Sequence, residues 1–219
     1  KPYRPDGIID GKALLEIVTT PQQVCQHEYP FEGLQRLLHG IRYQELTTIT
    51  SGSGQGKSTF CRQLATHLLE QGVRVGYLAL EESNRRTALG LMSTHAGKAL
   101  HIGEHSREVL ENIYNETLGN WNLYLFDGFG SYDPDIIYNR CEYLALGLDT
   151  KVIFLDHLSI LLSGLEGDER KMIDKTMTRL RSLVERTGIS LFLVSHLRRS
   201  NNDRTSHEEG GRVSLSQLR

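Results

Sequence analysis

At 219 residues the chain has the length of one domain with room for an extra arm. Its 38% hydrophobic and 24% charged content is ordinary for a soluble globular protein, and a net charge of −2 excludes an overall basic field toward nucleic acid, leaving only local basic patches. No apolar run approaches the ~20 residues of a membrane span. No signal peptide is visible, and Cys25, Cys61 and Cys141 are scattered without metal-ligand spacing, as reduced cytosolic thiols are.

Residues 1–10, KPYRPDGIID, carry two prolines and a glycine and read as an extended linker. Gly11–Thr19 places Ala13, Leu14, Ile17 and Val18 at helical spacing, and Pro21 stops the helix. Residues 1–21 are therefore expected to form a linker with a short amphipathic helix, and residues 22–219 the main domain. The helix can dock on its own domain, which composition slightly favours, or on a neighbouring subunit. Phe31–Leu38 fits a short helix, and Gly40–Glu45 leads into a first core strand over 46–50.

The stretch Leu46–Phe60, LTTITSGSGQGKSTF, has the pattern of a P-loop between a strand and a helix. Gly52, Gly54 and Gly56 let the backbone approach phosphates where a Cβ would clash or forbid the dihedrals. The N–H groups of Ser51, Gly52, Ser53, Gly54, Gln55, Gly56, Lys57, Ser58 and Thr59, with the helix N-terminus, form the expected cradle for a triphosphate. Lys57 is expected at the β- and γ-phosphates and the Ser58 hydroxyl on Mg²⁺. Ser51 stands where the general pattern has its first glycine.

The P-loop helix is predicted over 57–71, closed by Gly72. Arg74–Leu80 is a mostly apolar strand, as a parallel sheet covered on both faces requires. It ends in Glu81-Glu82-Ser83, on the side of an open α/β sheet where ligands bind. Adjacent side chains at a strand end point opposite ways. One of the two acids is thus expected to face the nucleotide as a base for water, or both merely favour the start of the next helix. Spacing does not choose between these.

Helices are predicted over Ser83–Ala96 and Glu104–Thr117, and a third strand over Trp121–Phe126. Asp133-Pro134 opens a helix reaching Leu146, with Gly147 behind it. Lys151–Asp156, KVIFLD, is a buried strand delivering Asp156 to its carboxyl end, the arrangement of a Walker B acid on Mg²⁺. The alternative is an Asp that caps a helix after an ordinary core strand. After the loop Gly164–Gly167, a long helix over Asp168–Thr187 shows an inner stripe of Met172, Ile173, Thr176, Met177, Leu180, Leu183 and Val184, its methionines read as core. A fifth strand, Ile189–Ser195, ends at His196, placed to sense a γ-phosphate or simply to serve the fold. The polar stretch Arg198–Arg212 is either a solvated loop or a loop touching nucleic-acid phosphates, with His207, Glu208 and Glu209 weakening the electrostatic case.

Five features now stand in order: Ser51–Thr59, Leu80–Ser83, Phe154–His157, Val194–Arg198 and His207–Gly210. With the strings SGSGQGKSTF, LEES, LDHLSI, DERKMID and HEEG before VSLSQLR, the chain resembles the helicase domain of phage primase-helicases. These are relatives of mitochondrial Twinkle and of DnaB-type replicative helicases. The resemblance runs from about Gly40 to Arg219. It implies a RecA-like core: an α/β fold with a mostly parallel twisted sheet and helices on both faces. It implies a homo-oligomeric ring, usually hexameric, with nucleotide between subunits and single-stranded DNA in the channel. The implied activity is NTP-dependent unwinding at a replication fork, with ATP or dTTP and Mg²⁺ bound, primase and DNA polymerase as partners, and no membrane. The implied location is the cytoplasm of a bacterial or phage-infected cell, ahead of a mitochondrial matrix.

By residue, Lys57 and Ser58 or Thr59 match the phosphate and Mg²⁺ contacts, Glu81 the acid that activates water, and Asp156 the Mg²⁺ acid. His196 matches the sensor and Arg198 a basic residue beside it. The resemblance also puts the helix over 11–19 on the adjacent subunit. In the family the chain continues past Leu218-Arg219 into a glycine-rich DNA loop and strands carrying an arginine finger. The sequence is accordingly expected to be a fragment that binds nucleotide, hydrolyses it slowly and unwinds poorly. The competing readings are a RecA-type filament recombinase and a non-catalytic P-loop assembly or loader module.

Overall fold

The computed structural model describes residues 8–20, 25–128, 130, 132–158 and 169–196. Among these residues, five strands form one parallel sheet: β1 (Leu46–Ser51), β2 (Val75–Ala79), β3 (Leu123–Leu125), β4 (Val152–Asp156) and β5 (Ser190–His196). Their order across the sheet is β1-β5-β4-β2-β3. The helices are α1 (Leu14–Thr19), α2 (Glu32–Leu38), α3 (Lys57–Glu70), α4 (Asn84–Ala96), α5 (Arg107–Glu116), α6 (Pro134–Glu142) and α7 (Glu169–Thr187). This is the α/β architecture expected from alternating strand and helix patterns.

Side-chain alternation along each strand sorts the core into two layers. Val75, Tyr77 and Ala79 of β2, Val152 and Phe154 of β4, and Phe192 and Val194 of β5 pack with Cys61, Leu64 and Leu68 of α3 and Leu91 of α4. The intervening residues Leu78, Ile153, Leu155, Leu191 and Leu193 pack with Ile137 and Cys141 of α6 and Leu180, Leu183 and Val184 of α7. Register joins Tyr77, Phe154 and Phe192 in one row, and their rings stack with centroids 5.4 and 5.1 Å apart. The same parity carried forward puts Asp156 on the α3 side of the sheet, beside Ala79 in the pairing.

Several elements differ from their predicted extents. The third strand contracts to three residues because it is an edge strand, paired only with β2 over Val75–Tyr77. The helix predicted to reach Leu146 leaves α geometry after Glu142 and continues as a π-turn, Tyr143–Gly147. That wider turn lays Leu144 over Gly76, where a Cβ would stand 2.9 Å from Leu144 Cδ1. The helix predicted from Gly11 begins at Leu14, and none of its residues is buried. Docking of α1 on its own domain, the slight preference of composition, is therefore not what the structure shows. Leu15 is 66% and Val18 74% exposed. Among the described residues, no helix is long and apolar enough to cross a membrane.

Candidate functional site

The carboxyl ends of β1, β2 and β4 converge on a cavity of about 360 Å³. It is lined by Ser53, Gly54, Gly56, Lys57, Ser58, Thr59, Arg62, Ala79, Glu81, Glu82, Arg86 and Asp156. Between β1 and α3 the loop turns through left-handed backbone at Gly54 (φ 72°) and Gly56 (φ 85°), which costs a glycine little and other residues about 1–2 kcal/mol. Gly56 is also the N-cap of α3 and offers no side chain to the first turn. The helix thus presents its first N–H groups toward the cavity rather than to a capping residue, as an anion site requires.

Lys57 is buried, and its ammonium donates to the carbonyls of Ser51 (3.1 Å) and Gly52 (2.8 Å). Burial lowers its pKa, while Asp156 and Glu81 act against that shift. A desolvated cation donating to backbone carbonyls has strong reason to pair with an incoming phosphate. Gln55 is exposed.

One turn of α3 brings Ser58 against Asp156: Ser58 Oγ donates to Asp156 Oδ2 at 2.7 Å. Asp156 is only 6% exposed. Burial raises its pKa, and the Ser58 hydrogen bond and His157 partly oppose this. A buried carboxylate so penalised is stabilised by a cation. The donors here are hard oxygens, and among the described residues no group of three or more His, Cys, Asp or Glu forms a metal cage. Mg²⁺ suits such a site, because it keeps waters and takes phosphate oxygens alongside one or two protein ligands.

Both acids at the end of β2 border the cavity, contrary to the expectation that only one would. Their surroundings separate them. Glu82 is consumed by the protein: Arg62 Nη2 donates to its Oε1 and Oε2 at 2.6 and 2.5 Å, Thr87 Oγ1 donates to Oε1 at 2.8 Å, and Arg86 Nε lies 3.5 Å from Oε2. Glu81 keeps 49% of its side chain exposed and contacts His157 Nε2. Helix capping accounts for neither acid. The N-cap of α4 is Ser83, whose Oγ accepts from Arg86 N.

The pairing Ser51↔His196 sets the backbone of His196 beside the start of the P-loop. Arg198 and the stretch Arg198–Arg212 lie outside the described residues. Three neighbours of the site were not singled out from sequence. Arg62 follows Ser58 by one helical turn, a spacing that puts both on one face of α3. Arg86 sits in the first turn of α4. His157 directly follows Asp156 within the string LDHLSI.

Comparison with known proteins gives a consistent set of relatives. Residues 28–219 match the family described as DnaB-like helicase C terminal domain. The DNA helicase/primase of Enterobacteria phage T3 is 34% identical over 230 aligned positions, which cover 100% of this chain and 40% of that protein. The chain thus spans well under half the length of that relative. In fold it is similar to the ATPase domain of G40P, with a TM-score of 0.72 at 19% identity, covering 98% of this chain and 78% of that one. It is also similar to a DnaB-like replicative helicase solved in a study of its interactions with primase, with a TM-score of 0.73 at 19% identity, covering 98% of this chain and 53% of the other.

Proposed function

The chain belongs to the DnaB-like helicase C-terminal domain family, and on that premise we propose that it is the NTP-hydrolysing motor domain of a replicative DNA helicase. It couples hydrolysis of ATP or dTTP to movement along single-stranded DNA and separation of the duplex at a replication fork. The observation that carries this reading is the meeting of Lys57, Ser58, Asp156 and Glu81 around one cavity at the carboxyl ends of the strands.

In this reading the loop Ser51–Thr59 binds the triphosphate through backbone N–H groups and the α3 N-terminus. Lys57 exchanges its carbonyl partners for β- and γ-phosphate oxygens. Ser58 and Asp156 hold Mg²⁺, which when bound neutralises charge developing on the phosphates. Glu81 accepts a hydrogen bond from the attacking water and orients it toward the γ-phosphate. His196, at the end of β5 next to the P-loop strand, relays the state of the γ-phosphate to Arg198 and the basic loop that follows.

The active form is a homo-oligomeric ring, hexameric by family likeness, in which α1 packs its exposed Leu14, Leu15, Ile17 and Val18 on the adjacent subunit. Primase and DNA polymerase are its partners at the fork, and the host-cell cytoplasm is its location. The test is nucleotide hydrolysis by the full-length parent protein with and without single-stranded DNA. The expected result is marked stimulation by DNA. An unchanged rate would remove the motor reading and leave a nucleotide-binding module.

A further inference from the structure

Glu81 ends in a carboxylate on a flexible stem, with half of that side chain in the open cavity. A general base is effective only when held within a few tenths of an ångström of its working position. An unanchored glutamate spreads over many rotamers, and ordering it at the moment of reaction carries a side-chain entropy cost. The neighbouring acid shows what full anchoring looks like here: both Glu82 oxygens are taken by Arg62, and Oε1 also by Thr87. Glu81, as the base, needs an anchor that sets the direction of its carboxylate toward the cavity.

His157 meets that need. Its side chain is 5% exposed, so the imidazole itself has little freedom. It follows Asp156 at the end of β4, and β4 pairs with β2 up to Ala79↔Asp156. One further bond, Leu80 N to Asp156 O at 2.7 Å, ties the strands where Glu81 and His157 leave them. His157 Nε2 lies in hydrogen-bond contact with Glu81 Oε1. An ionised carboxylate only accepts, so Nε2 carries the proton and donates.

Resting on the reading of Glu81 as the base, we propose that His157 is a positioning residue: its buried imidazole holds the Glu81 carboxylate at Oε1 in the direction from which it meets the attacking water. It also couples the strand bearing the magnesium acid to the strand bearing the base, so both groups keep one geometry.

The test uses the full-length parent protein with saturating single-stranded DNA. It compares His157→Phe, which fills the space without a donor, with His157→Gln, whose amide can still donate from a similar position. Turnover is measured beside the affinity for a non-hydrolysable nucleotide with Mg²⁺. His157→Phe is expected to lose about 10- to 100-fold in kcat, the scale of a misplaced catalytic group. Its nucleotide affinity stays within about threefold, as for an interaction made only in the transition state. His157→Gln retains the larger part of the rate, and in a Glu81→Gln background His157→Phe causes no further loss. Full turnover by His157→Phe beside an inactive Glu81→Gln overturns the proposal and leaves Glu81 as the base. Loss of nucleotide binding by both His157 variants overturns it too, by making the residue structural. Full turnover by Glu81→Gln alone instead removes the reading on which the proposal rests.

Discussion

Glu81 and Glu82 are chemically identical neighbours at the mouth of one cavity, and their isosteric glutamine variants should fail in opposite ways. Glu82→Gln strikes stability. Its carboxylate has 13% and the Arg62 guanidinium 17% of the side chain exposed, and they meet at 2.5–2.6 Å. The variant leaves Arg62 without its counter-charge and turns an amide N–H₂ toward a guanidinium. Removing one member of a buried pair costs about 3–5 kcal/mol, and the residual exposure here lowers that to about 2–3 kcal/mol. At roughly 2–4 °C per kcal/mol for a chain of this size, the melting temperature should fall by about 4–12 °C. Turnover at 25 °C should survive, because the base, the lysine and the metal ligands are untouched. Glu81→Gln strikes chemistry. Its side chain is half exposed, so the melting temperature should hold, while turnover falls by about 10²–10⁴-fold with nucleotide still bound. Thermal melts and DNA-stimulated hydrolysis on the same preparations decide the matter. An inactive Glu82→Gln with an unchanged melting temperature, beside an active Glu81→Gln, would refute the assignment.

Lys57→Ala should abolish nucleotide binding in a fluorescence titration. It should not lower the melting temperature of the nucleotide-free protein, because it removes a buried cation that burial already disfavours. Asp156→Asn should end metal-dependent turnover yet raise the melting temperature in EDTA at pH 7. The folded-state pKa of Asp156 lies above its unfolded value, so the folded state disfavours the ionised form. That cost is absent below about pH 4, the unfolded value, and complete above the folded one, so the stability gap between variant and parent should close on acidification. Gly90→Ala puts a Cβ 2.6 Å from Arg62 Nε. It should loosen the Arg62–Glu82 pair and cost about 1–3 kcal/mol in a denaturant titration, with turnover retained.

The inner part of the parallel sheet was legible because strands such as β2 and β4 are short apolar runs bounded by glycine and charge. The run Val152–Leu155 is fully buried, as a strand covered on both faces must be. Where sequence reading missed, pairing and packing had decided. Trp121–Phe126 has strand composition over six residues, but only the three opposite Val75–Tyr77 join the ladder. The π-turn at Tyr143–Gly147 has no periodic signature, because it answers to the space above Gly76 on another strand.

The cavity was legible in its first layer and not in its second, for a physical reason. Lys57, Ser58 and Asp156 are fixed by local rules: a glycine turn, the start of a helix, the end of a buried strand. Glu81 and Glu82 obey the same local rules equally, so spacing could not divide them. What divides them is a residue one turn down α3 and another at the end of β4. Arg62 lies 20 positions from Glu82, and His157 lies 76 positions from Glu81. Each acid takes its character from the partner it meets across the fold. Arg62, Thr87 and Arg86 occupy the oxygens of Glu82 and make it part of the frame. The buried imidazole of His157 contacts Glu81 while half of the Glu81 side chain stays open to the cavity, the position from which an acid can reach water.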